Sequence, residues 1–184
     1  LLTQGRHREA AERLNRLEVL PYEGSTEGRR LYREAHLMLG VESLRKGEAA
    51  AALRSIDAAR LWPENLGAGK PYPEDVDERL EDFLSAQALS RQGDSAAANR
   101  MLRQITASGG RGGGTGLLIR ALALRQMDRA DEGRKLLNDW SARESANAFA
   151  AWAARAYDGQ AGPAPNTGGE EVRVLAAWLE AAQQ

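Results

Sequence analysis

REAHLMLGVESLRKGEAAAALRSIDAARLWPEN, residues 33–65, is the stretch whose reading decides the fold. Apolar residues recur at helical spacing on both sides of a polar turn, the pattern of two helices joined by a tight reversal. Gly40, after Leu39, lets the two helices approach closely, and Gly47 supplies the left-handed turn that ends the first. Ala52 and Ala59 are small enough for the second helix to pack against its neighbours, and Ile56 fills the space between them. Pro63 cannot continue a helix, so the second ends just before it.

Three further segments share this grammar. A second copy spans about 79–108, with Gly93-Asp94 at the turn, Ala86 at the close approach, and Ala98, Leu102 and Ile105 along the second helix. A third spans about 114–147, with Ala121 at the close approach, Asp128 at the turn, Gly133 as the small residue, then Leu137 and Trp140. A half copy over 1–21 opens the chain: Gly5 is the turn, Ala10, Leu14 and Leu17 form the seam, and Pro21 closes it. The turns at Gly5, Gly47, Gly93 and Asp128 stand 42, 46 and 35 residues apart. The surplus falls in two stretches rich in Gly, Pro and acidic residues, Tyr22 to Gly28 and Trp62 to Asp77, which read as loops between repeats. After the third copy come a helix over about 146–157, a Gly/Pro linker over 158–169, and a last helix over about 168–184. Thr167 and Glu170 have capping-box spacing at its start. Val172, Leu175, Ala176 and Leu179 give that helix one apolar face, suited to cover the exposed end of the stack.

This order of residues resembles the tetratricopeptide repeat, whose period is about 34 residues. The resemblance covers most of the chain. It implies an all-α, right-handed superhelix of helix-turn-helix repeats with a C-terminal capping helix, forming a single domain over 1–184. Family members hold partners in the concave groove lined by the first helices. Matching positions here are Leu37, Met38, Val41, Leu44 and Arg45; Phe83, Leu84, Gln87 and Arg91; and Leu118, Ile119, Leu122 and Arg125. That wall is apolar with a basic edge. It lacks the Asn and Lys set with which some members clamp a C-terminal carboxylate, which argues against chaperone-tail binding. Its arginines equally suit compensation of helix C-terminal dipoles, and its apolar residues burial against the chain's own helices or a neighbouring domain.

The segment Leu61-Trp62-Pro63-Glu64-Asn65-Leu66-Gly67-Ala68-Gly69-Lys70-Pro71-Tyr72-Pro73 is the most distinctive in the chain. Either Trp62, Leu66 and Tyr72 fold back to plug a gap between repeats, or the segment is a recognition loop presenting Trp62, Asn65, Lys70 and Tyr72. The stretch from Leu31 to Ile105 also resembles the C-terminal helical-repeat region of large bacterial proteins whose β-rich N-terminal parts look carbohydrate-active. That resemblance implies a sugar-related context and transfers no catalytic residue.

Composition narrows the function further. The 184 residues, 42% hydrophobic, suffice for one domain with a sizeable core. The 25 basic and 26 acidic residues nearly cancel, so no global field draws the chain to nucleic acid or an anionic membrane. No stretch approaches the roughly 20 apolar residues of a spanning helix. The chain has no Cys, and its two histidines, His7 and His36, lie in different repeats, so neither thiolate nor paired-histidine metal sites are expected. The glycines of 109–116 lack the Gly-Lys-Ser/Thr ending and preceding strand of a phosphate loop and read as a turn between repeats. Glu78, Glu81 and Asp82, like Glu170 and Glu171, cluster at helix starts, where dipole compensation accounts for them better than a glycosidase pair.

No cofactor is implied. The expected role is a non-catalytic interaction or scaffold module, holding a protein, a peptide or an upstream domain of its own parent in the groove. A helical domain contributing to a carbohydrate-active enzyme is the alternative. The chain starts without Met and midway through a repeat, so it reads as a fragment of a larger protein. Arg outnumbers Lys and Ala is abundant, as in GC-rich bacteria; the cytoplasm is the compartment slightly favoured.

Overall fold

A computed structural model of the chain describes residues 1–21, 26–107, 114–160, 162–165 and 169–182. Their secondary structure is helical throughout, with no strand among the described residues. After a short 3-10 turn the helices are α1 (His7–Leu14), α2 (Glu27–Arg45), α3 (Ala49–Ala59), α4 (Arg79–Arg91), α5 (Ser95–Ala107), α6 (Thr115–Gln126), α7 (Ala130–Arg143), α8 (Ala148–Tyr157) and α9 (Gly169–Ala182). Among the described residues no helix is long and apolar enough to cross a membrane. Thr167 and the run 108–113 lie outside the described residues, and with them the capping-box partner and most of the Gly-rich stretch.

Three hairpins, α2/α3, α4/α5 and α6/α7, pack side by side, with α1 against α2 and α8 against α7 and α6. Their reversals share one hydrogen-bond pattern. At Gly47 (φ 76°) its own N–H donates to Leu44 O and Glu48 N–H to Ser43 O; at Gly93 (φ 86°) the acceptors are Ser90 O and Leu89 O. In both, the left-handed residue returns the chain so that two orphan carbonyls at the helix end are satisfied. The third reversal repeats the pattern with Asp128 (φ 61°), whose N–H donates to Arg125 O while Arg129 N–H donates to Leu124 O. Asp tolerates this backbone region better than most side chains.

Close approach within the hairpins rests on small residues. A Cβ on Gly40 would lie 2.9 Å from Cγ1 of Ile56. At Gly133 the constraint is tighter: a Cβ would meet the backbone O of Ala121 at 2.7 Å and the hydroxyl of Tyr157 at 2.5 Å. Tyr157 is buried and donates to Ala130 O, so α6, α7 and α8 meet there with no slack. Gly133→Ala is therefore expected to lower stability by about 1–3 kcal/mol through overpacking, although Ala is the better helix former by about 1 kcal/mol. Urea unfolding measures it.

Two boundaries differ from the sequence reading. α1 stops at Leu14, and Leu17 is exposed instead of joining the seam. The reason is Asn65, whose Nδ2 donates to both Leu14 O (3.0 Å) and Leu17 O (2.7 Å), while its carbonyl accepts from Val19 N–H (2.8 Å). α2 starts at Glu27, well before residue 33, where the sequence reading opens the first full copy, and so absorbs part of the expected loop. The added turns are stabilised because Gly28 rests against Leu66, and Arg29 lies beneath Trp62.

The largest difference concerns α9. In place of capping the exposed end of the row, it returns and lies along α2, while α8 packs on α7 and α6. Val172, Val174, Leu175 and Leu179 are buried in the main core together with Leu37, Val41, Phe83, Leu118 and Leu122.

A candidate helix-binding face

The first helices are next-nearest neighbours in sequence, yet α2 touches α4 and α4 touches α6, so the three line up along one face. Of the residues expected to line a groove there, Leu37, Val41, Phe83, Leu84, Leu118 and Leu122 are buried, as are Leu44 and Ile119. Met38 is half-buried and packs on the same core. α9 lies against the α2 part of this face and reaches α4 through one ring contact and α6 through one side-chain hydrogen bond. The rings of Phe83 and Trp178 meet with their centroids 4.8 Å apart and their planes at 79°. This is the favourable T-shaped arrangement for two aromatic rings.

The polar positions separate. Gln87 and Gln126 exchange side-chain amide hydrogen bonds at 2.8 and 2.7 Å, linking α4 to α6. Arg91 is exposed and donates to Leu44 O in the last turn of α2. Arg125 stacks its guanidinium over the ring of Tyr157, 3.7 Å from the centroid. Arg91 thus caps a helix and Arg125 joins α6 to α8, leaving Arg45 exposed on a cleft of about 200 Å³ that also touches Met38, Ala177 and Glu180. The sequence groups these arginines as one basic edge, and the fold disperses them.

An ion-pair latch that the groove reading missed fixes the start of α9. Arg33 donates from Nε and Nη2 to the Glu81 carboxylate at 2.6 and 2.8 Å, and from Nη1 reaches Glu171 at 2.8 Å. The second oxygen of Glu171 accepts from the Thr115 hydroxyl at 2.5 Å, so one carboxylate of α9 is held from α2 and α6 together. One turn along, Arg173 makes a bidentate pair with Glu34 at 2.7 and 2.8 Å, and Glu170 faces Arg30 and Arg33. Burial alone would lower Arg33, but its carboxylate partners outweigh that and hold its guanidinium above the ordinary range. Arg173 is raised by its hydrogen bond to Glu34. Glu34 and Glu81 are only 4% and 1% exposed, so each is affordable in the interior only because it meets an arginine fork.

Other carboxylates near this face are also paired. Arg60 bridges Glu78 at 2.6 Å and Asp82 at 2.8 Å, and burial pushes Asp82 above its usual range although Arg60 opposes it. Glu81 and Asp82 stand in the first turn of α4, and Glu170 and Glu171 in that of α9. These groups combine dipole compensation with ion pairing. His7 pairs with Glu42 at 2.5 Å; among the described residues no three His, Cys, Asp or Glu side chains converge as metal ligands.

The distinctive loop divides in two. Trp62 lies half-buried over Arg29, 4.6 Å from ring centroid to guanidinium carbon, and Leu66 is fully buried against Ala10, Leu14 and Tyr32. Arg29 is buried, hydrogen-bonds Ala59 O at the end of α3 at 2.7 Å, and is lowered by that burial and then by Arg33. Tyr72, by contrast, is 74% exposed, so it does not help to plug the gap, and Lys70 is exposed beside it. Asn65→Ala is expected to cost about 2 kcal/mol, for two lost hydrogen bonds and a loosened α1, whereas Tyr72→Ala should stay within about 0.5 kcal/mol. Thermal melts of the two variants make the comparison.

Compared with protein-family models, with curated proteins and with solved structures, the chain matches none of them.

Proposed function

We propose that the chain is a tetratricopeptide-like, non-catalytic scaffold module, a superhelical row of helical hairpins whose partner-binding surface is the face shared by α2, α4 and α6. The three reversals with one hydrogen-bond pattern support the repeat reading, as does the contact of alternate helices. The observation that carries the functional part is α9. An amphipathic helix already lies on that face, apolar residues inward and charges matched to α2, in the manner of a helix bound in a groove. The surface is therefore of a kind that takes a helix, and in this chain it holds one of its own.

The test is affinity capture from a cell lysate, with the chain as bait beside its Met38→Glu/Arg45→Glu variant. Both positions border the cleft between α2 and α9 and neither is fully buried. The reading expects a retained protein that the variant releases at unchanged helix content. Equal retention by both baits overturns the assignment of the face. Turnover of an oligosaccharide by the isolated chain, removed by one Asp or Glu substitution, overturns the non-catalytic part.

A further inference from the structure

The contacts of α9 specify what kind of helix this face accepts. Reading along α9, an acidic pair meets Arg30 and Arg33, a basic residue three positions after the first acid meets Glu34, and an aromatic residue five further on meets Phe83. Along the same helix Val172, Leu175 and Leu179 recur at helical spacing and are buried. Glu34 and Glu81 are fixed charges on the receiving side, so a helix with the reverse charge order would bring like charges together in a poorly hydrated place.

Water also reaches the latch. Arg173 keeps 47% of its side chain exposed, Glu171 25% and Glu170 18%. The segment joining α8 to α9 contains Gly159, Gly162, Pro163 and Pro165, with Trp152 donating to Gly162 O at 3.0 Å. A helix tethered in this way competes at an effective concentration on the order of mM, enough to occupy a groove that a free helix would fill only at high affinity.

We propose that α9 is a resident pseudo-ligand that guards the face, and that the partner is an amphipathic helix of another protein with the same order: an acidic pair, then a basic residue two positions after the second acid, then an aromatic five positions on, along an apolar seam. This rests on the reading of the face given above. The incoming helix takes over Arg33, Glu34 and Phe83 as α9 leaves, and binding is weakened by salt because both latch pairs are partly exposed.

The probe is a fluorescein-labelled peptide of residues 169–182, followed by anisotropy against the full chain and against its Glu171→Arg/Arg173→Glu variant, which unsettles α9 and leaves the receiving face unaltered. The variant should bind the peptide at least about ten-fold more tightly than the unaltered chain. A peptide carrying the same two reversals should fail with both. Equal binding by the two chains overturns the guarding role and leaves the assigned face intact. No binding to the variant at about 100 µM, with hydrogen exchange showing 169–182 open and α2 to α7 protected, sinks both the inference and the face. Should the variant's α9 stay protected, Leu175→Asp/Leu179→Asp replaces it under the same criteria. If that chain does not fold, the unaltered chain decides: the peptide's association rate must level off at the opening rate of α9, and a rate that rises without limit contradicts guarding. A concentration-dependent dimer whose exchange of α9 between copies excludes the peptide overturns the heterologous partner.

Discussion

Replacing Arg33 with Met should destabilise the chain by about 3–5 kcal/mol, the usual cost of removing one member of a buried ion pair. Arg33 is the only cation hydrogen-bonded to Glu81 among the described residues, and Glu81 is 1% exposed. Without the guanidinium, that carboxylate must either stay charged in the interior or take up a proton, and both reduce the free energy of folding. The loss should shrink in Arg33→Met/Glu81→Gln, because the second change removes the stranded charge. Urea unfolding of the wild type, both single variants and the double variant gives the coupling directly. A double variant as unstable as the sum of the singles would show that the pair is not the cause.

Phe83→Ala should cost a similar amount, about 3–5 kcal/mol, and its effect should be local as well as global. Phe83 is fully buried, and its edge-on contact with Trp178 ties the second half of α9 to α4. Deleting the ring leaves a cavity at that junction, so amides of α9 should exchange faster than the fall in global stability accounts for. Ile56→Ala is the control. Ile56 is equally buried but packs against Gly40 within the first hairpin. Its loss should lower stability without selectively exposing α9. Similar exchange profiles for the two variants would count against a special junction at Phe83.

The hairpins were legible because each turn declares itself locally. Gly47 takes the left-handed conformation that the sequence assigns to it, and Gly93 and Asp128, read there as turn positions, take it too. Gly40 against Ile56 was readable for the same reason, a missing side chain beside a large one. The end of α1 was not, because Asn65 fixes it from fifty residues away and no local pattern carries that information. Nor was the start of α2: Glu27 to Arg30 are polar by composition, and Arg29 belongs to a helix only because Trp62 covers it.

The candidate face was half legible. Its apolar positions follow the helical period and were identified as buried or bound, two outcomes that period alone does not separate. What separates them is α9, whose apolar side is equally compatible with the end of the row and with the middle of it. A signal did exist in the charges. Arg33-Glu34 interrupts the apolar side of α2, and Glu170-Glu171-x-Arg173 presents the complementary order on α9. Matching those two strings would have pointed to the latch, whereas dipole compensation at a helix start accounts for Glu170 and Glu171 without it.

The most direct test of α9 on this face is a nuclear Overhauser measurement between the rings of Phe83 and Trp178. With only two Phe and four Trp in the chain, the pair can be assigned by substituting the others. Ring centroids 4.8 Å apart predict strong cross-peaks between the two side chains, together with protected amides from Val172 to Leu179. Absence of those cross-peaks in a folded chain, with the same amides exchanging as freely as an unstructured peptide, would contradict the placement of α9 and the reading of the face built on it.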